Sequence, residues 1–121
     1  MTTQDILERC LRMPGAYANT PFGPEPICAR VGPRIFAEVF PARAWVTFKC
    51  EPAQGLCWRE RFAKNVRRGY HCPPSQHPYS NTVTLDGTVP DGVLLDMLEH
   101  SYARALKTMT KAQREAALSG E

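Results

Sequence analysis

No apolar run in the 121-residue chain approaches the about 20 residues that a helix needs to cross a bilayer, which excludes a helical membrane protein. The five cysteines, Cys10, Cys28, Cys50, Cys57 and Cys72, are odd in number and nowhere form a CxxC pair. Neither a disulfide framework nor a redox motif is expected, and reduced thiols packed as small hydrophobes are. No glycine-rich loop follows a predicted strand, and no zinc-finger, recognition-helix or RNP pattern occurs. The opening Met1-Thr2-Thr3-Gln4-Asp5 lacks the basic start and apolar stretch of a secretory signal, so a cytoplasmic location is expected.

What is present suits one compact domain over residues 1–121, with 43% hydrophobic and 22% charged residues around a single core. Eleven prolines and eight glycines, most of them in the first ninety residues, imply frequent turns rather than a helical bundle. The net charge of +3 is unevenly distributed: residues 59–85 hold five basic groups and one acidic group, whereas the segments on either side are near neutral. All five cations, Arg59, Arg61, Lys64, Arg67 and Arg68, fall within ten residues, as a local anion-binding surface would require. The plainer reading is a solvated helix face.

Thr2 and Asp5 have capping-box spacing before Ile6, Leu7, Cys10 and Leu11, which predicts a helix over about 3–13. Residues 14–26, punctuated by Pro14, Pro21, Pro24 and Pro26, are expected to form an ordered loop. The period then changes to 2: stretches 27–31, 35–40 and 44–49, separated by Gly32-Pro33 and Pro41-Ala42-Arg43, predict a three-stranded antiparallel meander. Pro52 opens a second helix running to about Lys64, with Leu56, Arg59, Ala63 and Val66 on one face. An irregular proline-rich loop leads to a further strand at 82–86. The clearest helix spans about 90–109, with Thr88 and Asp91 spaced as a capping box and Leu94, Leu98, Tyr102, Ala105 and Met109 in its apolar stripe. A short helix at 111–118 ends the chain. The expected class is α+β, a two-layer sandwich ordered helix, three-stranded meander, helix, strand or hairpin, long helix, short helix.

Several phrases in this order resemble the MmcQ/YjbR family of small bacterial proteins: Pro14-Gly15-Ala16, Pro21-Phe22-Gly23, Arg34-Ile35-Phe36-Ala37, Val46-Thr47-Phe48-Lys49-Cys50-Glu51-Pro52, Gly69-Tyr70-His71, Asn81-Thr82-Val83, Leu85-Asp86-Gly87, Pro90-Asp91 and Ser101-Tyr102. The resemblance covers nearly the whole chain. It implies the same α+β sandwich, in a double-wing, frataxin-like form for which family members are classed as DNA-binding. The stretch from His71 to Ser80 departs from the family pattern, being longer, richer in proline and free of lysine.

Nucleic-acid binding requires cations that reach phosphates. Arg59, Arg61, Lys64, Arg67 and Arg68 supply them; Lys49, at the end of the third meander strand, extends the same surface, and His71, His77 and Tyr79 are possible wing-tip contacts. Without a base-reading motif, the expected partner is double-stranded DNA, bound weakly and in a salt-sensitive way by a monomer or homodimer. The alternative is a small protein-interaction module with no nucleic-acid role. Catalysis is not expected, because only Cys72 beside His71, with His77 five residues on, offers a nucleophile near a base. Cys72-x4-His77 matches no usual zinc spacing, and neither metal nor cofactor is expected. Tyr102 and Trp45 are expected to be core or part-core aromatics, Trp58 to pack, and His100 to be a solvated helix residue.

Overall fold

The computed structural model describes residues 1–119, so the last two residues of the expected 1–121 domain lie outside the described residues. Along the chain run α1 (Thr3–Leu11), β1 (Ala16–Asn19), β2 (Ile27–Val31), β3 (Arg34–Phe40), β4 (Trp45–Lys49), α2 (Pro52–Arg61), β5 (Val66–Arg68), β6 (Ser80–Thr84), α3 (Asp91–Lys107) and α4 (Lys111–Leu118). The strands form one six-stranded sheet in the order β1-β2-β3-β4-β6-β5, and each neighbouring pair is antiparallel. The architecture is the expected α+β two-layer sandwich. No helix among the described residues is long and apolar enough to cross a membrane.

Strand alternation decides which side chains enter the core. Val46 and Phe48 of β4 lie opposite Val39 and Ala37 of β3, and Val46 also faces Val83 of β6. This face is covered by α1 through Ile6 and Cys10 and by α3 through Leu94, Met97, Leu98, Tyr102 and Ala105, all of them buried. The other face, which α1 and α3 leave open, bears Cys28, Ile35, Glu38, Phe40, Trp45, Thr47, Lys49 and Thr82. A buried Thr47–Thr82 hydroxyl pair, 2.7 Å apart, ties β4 to β6 there.

Four local expectations change. β1 lies inside the expected loop, because Ala16–Asn19 is a proline-free window that pairs with β2 from Ala16↔Val31 to Asn19↔Cys28. The second helix stops at Arg61, and Val66 is drawn into the sheet opposite Val83, so 66–68 is strand. Its buried face is also different: Leu56 is 50% exposed, whereas Gly55 and Trp58 pack inward. A Cβ at Gly55 would stand only 2.4 Å from Cys50 Sγ, so the glycine sets how closely α2 approaches the sheet. The Thr2–Asp5 and Thr110–Gln113 capping boxes form, but the Thr88–Asp91 box does not. Asp91 Oδ1 takes the Met1 ammonium at 3.0 Å, and Thr88 N–H donates to Asp86.

Candidate functional site

The site begins with an irregularity in the sheet. Ala29 opposes Ala37 but Arg30 opposes Ile35, so Phe36 is an extra residue in β3, a bulge that turns its ring into the core. The β3–β4 ladder ends at Ala37↔Phe48. Just beyond, the buried Ser101 hydroxyl of α3 accepts the Lys49 N–H at 2.9 Å and donates to the Phe36 carbonyl. One side chain thus satisfies two backbone groups where the strands part, and it fixes the backbone of Lys49 at the junction of two depressions.

The first depression is a groove of about 410 Å³ at the turn end of the sheet, lined by Arg30, Arg34, Lys49 and Arg104 together with Pro33, Ile35, Gln76, Ala105 and Thr108. Among the described residues its lining holds four cations and no carboxylate. Arg30 donates to the Pro33 carbonyl and Arg34 to the Thr108 carbonyl, each through one guanidinium nitrogen, so both retain donors for an anion. Glu51 stands beside the groove, 3.8 Å from Arg104 Nε and 3.4 Å from Lys107 Nζ. Arg59 lies nearby. Burial pushes the Cys50 thiol up to about 11, against the opposing pull of Arg59, Arg104 and Lys49.

The second depression, of about 430 Å³, lies on the open face of the sheet. Phe22, Pro26, Ile35, Phe40, Tyr70 and Pro73 give it apolar walls, and Glu38, Lys49, His71 and Cys72 its polar groups. Burial raises the Glu38 pKa while Lys49 opposes the shift, and among the described residues neither a hydrogen bond nor an ion pair holds the carboxylate. Beside this pocket, Arg43 and Arg67 stack on Trp45 at 5.0 and 4.5 Å, and Trp45 packs against Tyr70.

The fold disperses the contiguous basic cluster. Arg67 faces the open side of the sheet, bonded to Thr84 and held below its usual pKa by burial, and Arg68 follows on the opposite face by strand alternation. Arg61 lies over Phe62 at the end of α2, and Lys64 is exposed in the turn after it. Of the residues singled out from sequence, Lys49 lines both depressions and His71 the second. His71 also carries φ 56°, a left-handed conformation uncommon for a residue with a Cβ. His77 is half-buried, with Nε2 3.2 Å from the backbone oxygen of Cys72 rather than its sulfur. Among the described residues no group of three or more His, Cys, Asp or Glu side chains gathers as metal ligands. Arg30, Arg34, Arg104, Phe22 and Glu38 escape a linear reading because each belongs to the site only through the sheet register or a distant helix.

His100 is not a solvated helix residue. Its Nε2 accepts the Glu51 N–H at 3.0 Å, and its ring meets Trp58 edge-on at 5.3 Å. Burial lowers its pKa below the ordinary 6.5; Glu51 pulls it up and Arg104 pushes it down. The unfolded chain therefore binds the proton more readily than the folded one, so this contribution to stability is complete above the unfolded pKa and is lost as pH falls through the folded value. The melting temperature is expected to fall between about pH 7 and pH 5, and His100→Gln, whose amide oxygen keeps an acceptor, to flatten that slope. Equal slopes in thermal melts of the two proteins would contradict this.

Together these features define a class: a two-layer α+β domain with one antiparallel sheet, helices on one face, and cations gathered at the turn end of the sheet. The YjbR family model matches residues 11–104, and the chain belongs to the YjbR family. The crystal structure of Deinococcus radiodurans protein DR2400, which carries a DUF419 domain, superposes with a TM-score of 0.86 at 29% identity, covering 96% of this chain and 87% of that one. A Pseudomonas syringae protein shares the fold with a TM-score of 0.69 at 16% identity, over 87% of this chain and 99% of that one. Comparison with curated proteins finds no match.

Proposed function

We propose that the protein is a non-catalytic, cytoplasmic DNA-binding protein that holds the phosphates of double-stranded DNA in the groove at the end of β4. The observation that carries this reading is the convergence of Arg30, Arg34, Lys49 and Arg104 on one groove, with no carboxylate in its lining among the described residues. Four cations drawn from three strands and a helix suit a polyanion better than a neutral partner. The β2–β3 hairpin acts as a wing, its Gly32-Pro33 turn bringing Arg30 and Arg34 to the backbone, and Arg59 extends the surface behind Lys49. With phosphate contacts dominant, binding to duplex is weak, salt-sensitive and indifferent to sequence.

If about four cations each neutralise a phosphate, the logarithm of the binding constant should fall against the logarithm of salt with slope about −3.6. Arg30→Gln, Arg34→Gln and Lys49→Gln together should flatten it by about 2.7. A second triple variant at Arg61, Lys64 and Arg68 separates the groove from the contiguous cluster and should change the slope less. The measurement is fluorescence anisotropy on random-sequence duplex at several salt concentrations. Absence of binding at low salt, or a slope that the groove variant leaves untouched, would favour the protein-interaction reading.

A further inference from the structure

We infer that the pocket beside the groove receives an unpaired nucleobase, guanine by preference, while the adjoining phosphate lies in the groove. The inference rests on the groove reading and adds to it a base-recognition site.

Three observations carry it. The first is continuity: Ile35 and Lys49 line both depressions, so a single ammonium separates an anion-binding groove from an apolar pocket. A nucleotide has the same layout, a charged phosphate one sugar away from a flat, largely apolar ring. At about 430 Å³ the pocket is within the size range of small-molecule sites.

The second is an aromatic held out in solvent. Phe22, on the loop between β1 and β2, is 67% exposed yet lines the pocket. Water makes that exposure unfavourable, and a base stacked against the ring would remove it. Tyr70 and Phe40, whose rings meet edge-on at 5.7 Å, form part of the same lining.

The third is Glu38. Its carboxylate lies half-buried on the open face of β3 with no hydrogen bond or ion pair among the described residues. A carboxylate offers two acceptor oxygens side by side and is best matched by two parallel N–H donors. On the Watson–Crick edge only guanine presents adjacent donors, N1–H and the N2 amino group. Adenine and cytosine set an acceptor beside their amino group, and thymine has one N–H between two carbonyls, so each would bring an oxygen or a ring nitrogen against Glu38. Pairing in a duplex hides that edge, so the pocket selects single strands or a base swung out of the helix.

The test compares a guanine-containing single-stranded 12-mer, the same 12-mer with adenine in place of guanine, and the duplex form of the first, at one low salt concentration. The intact protein is expected to bind the guanine strand about tenfold more tightly than the duplex or the adenine strand. Phe22→Ala should remove most of the single-strand advantage and leave duplex affinity unchanged. Glu38→Gln should abolish the preference for guanine over adenine without lowering the melting temperature, since the half-buried carboxylate has no hydrogen bond or ion pair to lose among the described residues. Single strands bound no better than duplex, with both variants indistinguishable from the parent, would overturn the pocket inference and leave the groove reading standing. Failure of all three nucleic acids to bind would overturn both.

Discussion

Replacing Phe36 with alanine is expected to destabilise the protein by about 3–5 kcal/mol, the range for emptying a buried aromatic site. The ring is fully buried, packs edge-on against Tyr102 at 5.3 Å, and sits at the bulge residue. A neighbouring core position on a regular strand has a partner across the ladder that can shift into the space, whereas the bulge has none, so little relaxation should offset the cavity. Tyr102 is itself anchored by its hydroxyl, which donates to the Pro14 carbonyl at 2.6 Å, and this holds the far wall of the cavity in place. Urea denaturation of the variant gives the number. A loss below about 1 kcal/mol would mean that the bulge has collapsed into regular pairing.

Ser101→Ala should be nearly as damaging, although it removes a single oxygen. Its hydroxyl is the partner of both the Lys49 N–H and the Phe36 carbonyl, and a methyl group strands both in a site that water does not reach. At about 1–3 kcal/mol for each of the two stranded groups the expected cost is about 2–6 kcal/mol. Ser101→Thr, which keeps the hydroxyl, should recover part of it. The same change releases the backbone of Lys49, so DNA affinity measured well below the melting temperature should drop as well. An alanine variant as stable as the parent would show that Lys49 and Phe36 pair directly once the serine is gone.

The parts of this fold legible in the sequence are those whose signal is periodic over five or more residues. Strands β2, β4 and the part of β3 beyond its bulge alternate, and the α3 stripe continues from Leu94 to Ala105, about three turns, so local pattern and tertiary burial agree. β1 and β5, four and three residues long, are too short for alternation to register, and they are strands only because β2 and β6 offer them a ladder. The run Ile35-Phe36-Ala37 does carry a trace of the bulge, since two adjacent buried residues break the period of two. Charge along the sequence maps less directly onto the candidate groove than hydrophobicity maps onto the fold. Arg59 to Arg68 are neighbours in sequence yet point in several directions once a helix gives way to a strand, whereas Arg30, Arg34 and Arg104 look isolated until the β2–β3 turn and the end of α3 meet. His100 shows the same limit: beside Glu99 it reads as solvated, and only the approach of Trp58 and the Glu51 backbone covers it.

The order of the strands has a bearing on self-association. The longest strand, β3, lies inside the sheet, and the two shortest, β1 and β5, form its rims. A second chain trying to extend the sheet would meet at β1 only four ladder positions before Pro21 and Pro24, and at β5 only three, two of them arginines. Neither rim is long or flat enough to template strand addition, and the charge on one and the prolines after the other work against it. The stretches of strongest β propensity, at β3 and β4, are therefore sequestered from the edge-to-edge stacking that leads to fibrils.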